Sequence, residues 1–131
     1  MQSAPYIPHT TENGDNFLYA EFAIGAAGAV GTVTRSKGLT VTTPIVRNSA
    51  GTYQFNLNQG WQALMAMTAN FVMASYSANT SGLVGFVVSR TLTGATPNII
   101  VQFVNLATGS PADAVNPSVL QVCFHMKEST V

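Results

Sequence analysis

Charge is what this sequence has least of. Asp, Glu, Lys and Arg make up only 8% of its 131 residues, against roughly 25% in an average soluble domain. Five Lys and Arg balance five Asp and Glu to a formal net charge of zero. No broadly basic surface exists to collect phosphates, so nucleic acid is excluded as the expected partner. Most of the exterior must instead be Ser, Thr, Asn, Gln, Gly and apolar side chains, which suits assembly better than free solution. Cysteine is nearly missing too. Cys123 alone rules out an intrachain disulfide and fits synthesis in a reducing compartment.

The residues that usually carry chemistry are as sparse. His9 and His125 are the two histidines, and neither lies beside further ligands at metal-binding spacing, so no metal and no cofactor is expected. The carboxylates Glu12, Asp15, Glu21, Asp113 and Glu128 are scattered and select no acid–base pair. An enzyme is therefore not expected. The most apolar stretch, Phe22 to Val33, is interrupted by Gly25, Gly28 and Gly31 and falls well short of the ~20 residues of a spanning helix, so no membrane partner is expected. Residues 1–11 lack the basic region and apolar block of an export signal. The run Gly25 to Thr32 has the look of a phosphate loop but no lysine before its hydroxyl residue, which leaves its glycines as packing or turn residues.

What is present is a β rhythm. Short alternating runs separated by turn residues predict an all-β, single-domain antiparallel β-sandwich or barrel of about seven to nine strands. Thr52 to Asn58 is the clearest, with Tyr53, Phe55 and Leu57 on one face and Gln54, Asn56 and Asn58 on the other. Leu39, Val41 and Ile45 share a parity before it, Pro44 suggests an edge, and Asn48 to Gly51 supplies a hairpin turn. Trp61 to Met73 contains good helix formers, but Ala63, Met65, Met67, Ala69, Phe71 and Met73 alternate, which favours a strand. Val84 to Arg90, Ile99 to Leu106 and Leu120 to Lys127 follow, with Asn79 to Gly82 as one of the turns between them. In the last run Leu120, Val122, Phe124 and Met126 point inward, while Gln121, Cys123, His125 and Lys127 point outward.

Residues 1–18 read as an extended N-terminal arm and 19–131 as the β domain, because Pro5, Pro8, Asn13 and Gly14 favour extended or turning backbone. Apolar side chains at a solvated end gain nothing unless they dock. Pro5, Tyr6, Ile7, Pro8, Phe17 and Leu18 are therefore candidate interface residues. Trp61, after Asn58 to Gly60, is the best single candidate for an interface anchor or a ligand-stacking ring. Arg35, Lys37 and Arg47 form a modest basic group, read as a solvated rim or a salt bridge to a partner.

Gly28 to Arg35, Gly38 to Thr42 and the hairpin strand Gly51 to Leu57 of form G-T-Y-x-F-x-L, closed by Leu120 to Lys127, together resemble small virion proteins of tailed bacteriophages. The likeness is to head decoration, or cement, proteins and covers most of residues 25–128. It implies a subunit added to the capsid exterior after synthesis in the host cytoplasm. That subunit stabilises adjacent capsomers, with the major capsid protein as partner and a homotrimer as the oligomer. A head-fibre, tail or receptor-recognition module reading sugars through Trp61 is the alternative expectation, and a small hydrolase using His125 or a carboxylate comes third.

Overall fold

The structure, a computed structural model, describes residues 15–73 and 82–129. Pro5, Tyr6, Ile7, Pro8, His9, Glu12 and the turn residues 79–81 lie outside the described residues. The strands are β1 (Asp15–Ile24), β2 (Val30–Lys37), β3 (Ile45–Ser49), β4 (Thr52–Asn56), β5 (Trp61–Met73), β6 (Leu83–Thr91), β7 (Asn98–Asn105) and β8 (Ser118–Ser129). They form two four-stranded sheets, ordered β2-β1-β8-β5 and β3-β4-β7-β6. Every pairing is antiparallel. The sheets stay separate, so the architecture is a sandwich and not a closed barrel.

Alternation explains why these sheets face each other. Leu18, Ala20, Phe22 and Ile24 of β1 and Leu120, Val122, Phe124 and Met126 of β8 are all buried. Tyr53 and Phe55 of β4 and Ile99, Val101 and Phe103 of β7 meet them from the second sheet. Edge-to-face ring contacts join the layers, Phe22 to Tyr53 with centroids 5.6 Å apart and Phe55 to Phe124 at 5.3 Å. Pro44 precedes β3, an edge strand, where a missing N–H interrupts no ladder.

Three expectations need correction. β1 begins at Asp15, inside the stretch read as arm, and Leu18 is only 2% exposed. Leu18 belongs to the core of its own chain, so it is not an interface residue. Trp61, 3% exposed, is likewise part of the core and offers no ring to a partner or ligand; its backbone N–H donates to the Leu92 carbonyl at 2.8 Å. Val41, expected to share a buried face with Leu39 and Ile45, is almost fully exposed at 99%, in the loop before β3 rather than in a strand.

Within β5 the alternation also breaks. Leu64 pairs with Met126 and Ala66 with His125, which leaves Met65 as an extra residue in a bulge. Inward positions are therefore Leu64 before the bulge and Met67 and Phe71 after it, opposite Met126, Phe124 and Leu120. Met65 is pushed to the surface. The glycine-rich segment that mimics a phosphate loop is a short 3-10 turn, Ala26–Gly28, connecting β1 to β2. No helix among the described residues is long and apolar enough to cross a membrane.

Candidate functional site

The outward side chains of the first sheet form cross-strand rows because paired residues in an antiparallel ladder share a face. One row runs Lys37, Tyr19, Cys123 and Thr68 across β2, β1, β8 and β5. The next runs Arg35, Glu21, Gln121 and Asn70. On the other side of the first row, Phe17 pairs with His125 and stacks on it with ring centroids 4.7 Å apart. Among the described residues, Phe17, at 54% exposure, is the one candidate interface residue from the sequence that lies on the surface.

Between these rows lies a groove of about 350 Å³, lined among others by Tyr19, Arg35, Thr68, Asn70, Gln121 and Cys123. Cys123 is half-buried between Tyr19 and Thr68, and burial pushes its thiol pKa up. That makes it a poor nucleophile at neutral pH, since the thiolate is the reactive form. Asn70 Nδ2 donates to Gln121 Oε1 at 3.1 Å, pinning the two amides together. Among the described residues no group of three or more His, Cys, Asp or Glu could hold a metal ion.

The basic group is used up within the chain. Arg35 Nε and Nη2 both donate to Glu21 Oε1, at 2.9 and 2.6 Å. Lys37 Nζ donates to Asn16 Oδ1 at 3.3 Å. Arg47 Nε and Nη2 donate to the two oxygens of Asp113 at 3.1 and 2.7 Å, so its partner is internal and 66 positions away. Asp113 Oδ1 also accepts from the Gly51 N–H at 2.8 Å, while the Tyr53 hydroxyl donates to the Gly28 carbonyl at 2.6 Å. These bonds fasten the β1–β2 turn, the β3–β4 hairpin and the loop before β8 into one joint. Sequence spacing contains no signal for it, because its members come from three separate stretches.

No protein-family model, curated protein or solved structure matches the chain.

Proposed function

We propose that the chain is a structural subunit of a virus particle, a capsid decoration protein that lies on the assembled head and ties neighbouring capsomers together. The major capsid protein is its partner on the virion exterior, the subunit works as a homotrimer, and it catalyses no reaction. One observation supports this reading most. Arg35, Lys37 and Arg47 are all engaged inside the chain, while Phe17, Val72, Phe86 and Val88 are about half exposed on strand surfaces. Such a surface attaches by shape and desolvation rather than by steering charge. A subunit that prefers the assembled lattice to free capsid protein stabilises the shell by mass action, and repetition multiplies the effect.

Attachment is accordingly expected to change less than about threefold between low salt and about 0.5 M salt, where exposed charges are largely screened. Co-sedimentation of the protein with particles across that range measures it; release at high salt overturns the neutral-interface argument. Mass spectrometry of purified virions tests the location. Copy numbers on the order of hundreds support a shell role, as repeated lattice sites require. A few dozen or fewer point to a fibre or tail, and none rejects both. The receptor-module alternative loses the ring on which it was built, because Trp61 is buried.

A further inference from the structure

We propose that the groove across the outer face of the first sheet binds a neutral saccharide, with Tyr19 as the stacking ring and Asn70 and Gln121 as the hydrogen-bonding edge. The inference does not depend on the shell reading, and either can fail alone. Its first support is shape. Cys123 lies between Tyr19 and Thr68 in the first row, and the trough of about 350 Å³ that the three help to line falls within the ~300–1,000 Å³ of small-ligand sites.

The second support is the placement of polar atoms. The bond between Asn70 Nδ2 and Gln121 Oε1 fixes both amides, and it leaves Asn70 Oδ1 and Gln121 Nε2 outside it. An acceptor and a donor thus remain on the two linked amides at the groove. Neighbouring sugar hydroxyls, each able to donate and accept, match that pair. Tyr19, 39% exposed at the other end of the groove, offers an aromatic surface to the apolar face of a pyranose and a hydroxyl to its rim.

Charge decides the class of sugar. Arg35 is the cation lining the groove, and both its Nε and Nη2 are already committed to Glu21 Oε1. A phosphate or carboxylate ligand would have to compete with Glu21 for that guanidinium and would meet its negative charge. An uncharged ligand meets a balanced pair. Neutral hexoses and N-acetylhexosamines therefore fit, and sugar acids and nucleotides do not.

Two-dimensional NMR of the full chain, titrated with glucose, galactose, mannose and N-acetylglucosamine and separately with sialic acid and inorganic phosphate, tests the assignment. The expected result is a shift of the Tyr19, Asn70, Gln121 and Cys123 amide signals by at least one neutral sugar, with a dissociation constant on the order of millimolar. Gln121→Leu and Asn70→Leu should weaken binding about tenfold or more, and Tyr19→Ala should abolish it. Tyr19→Phe, which keeps the ring, should stay within about threefold, the loss of one exposed hydrogen bond. Saturating sugar should also slow alkylation of Cys123 by iodoacetamide. The proposal fails if no neutral sugar moves these signals, if sialic acid or phosphate binds as tightly, or if the folded leucine variants bind normally. It fails equally if the same signals broaden with protein concentration alone, which would assign the face to a second copy of the chain.

Discussion

Phe55→Ala is expected to lower the unfolding free energy by about 3–5 kcal/mol, the cost of removing a fully buried aromatic ring and leaving part of its volume empty. Phe55 has no exposed surface. Its ring lies edge-on to Phe124 and to Phe22, at 5.3 and 6.2 Å, and both of those belong to the opposite sheet. Tyr53 and Phe103 extend the same network through further edge-to-face contacts, and Phe71 joins it from β5. One side chain of the second sheet therefore holds two strands of the first. Because small domains have total stabilities of about 5–15 kcal/mol, the variant should unfold at much lower denaturant. Phe17→Ala, on the exposed face, loses only its stacking on His125 and should cost about 1 kcal/mol or less. Equilibrium denaturation of the two variants decides the matter. A Phe55→Ala cost below about 1 kcal/mol would mean that the sheets are not joined through this ring.

Tyr53, Phe55 and Phe124 of this network were readable from alternation, while Phe22 and Phe103 were not assigned a face. Tyr53, Phe55 and Leu57 and the run Leu120, Val122, Phe124 and Met126 are buried as their parity implies, because a strand with one solvated face must alternate. Alternation fails where the backbone gains a residue. Met65 fits the inward parity of its neighbours in sequence, yet the bulge hands that position to Leu64; a bulge has no composition of its own, so the pattern cannot announce it. Leu18 was misplaced for a different reason. The Pro- and Gly-containing stretch before it obscured the start of β1, and three consecutive large side chains, Phe17, Leu18 and Tyr19, mask which one points inward. The groove was invisible in principle, since Tyr19, Cys123 and Thr68 align only after the registers of β1, β8 and β5 are set. The same holds for Arg47 and Asp113.

Asp113→Ala is expected to cost about 2 kcal/mol or more at neutral pH, because it strips acceptors from a charged donor and a backbone N–H at once. The joint cannot easily rearrange around the loss. Gly28 has φ +75°, and a Cβ there would lie 2.2 Å from Asp113 Oδ1. Gly51 has φ +65°, and its Cβ would lie 2.6 Å from the Ala112 and Phe103 carbonyl oxygens. Both positions are closed to side chains, so the backbone approaches that frame Asp113 depend on glycine. Burial pushes the Asp113 carboxyl up, but the Arg47 hydrogen bonds, the Gly51 N–H and the Arg47 charge outweigh it and hold the pKa below its ordinary value.

The folded pKa thus lies beneath the unfolded one of about 3.9, so this carboxylate adds stability that is present above that pH and lost as pH falls through the folded value. Tyr53 sets the opposite limb. Burial first, then the nearby Asp113 charge, with Arg47 opposing, pushes its hydroxyl up to about 12. The fold keeps a proton that the unfolded chain releases near pH 10, and stability declines from about pH 10 towards 12. Asp113→Asn separates the two limbs. It keeps an oxygen for the Gly51 N–H and has no carboxylate to protonate, so denaturation midpoints measured from about pH 2 to 7 should fall less steeply on the acid side than those of the parent. Equal acid slopes in parent and variant would place the acid sensitivity in other carboxylates and remove Asp113 from its account.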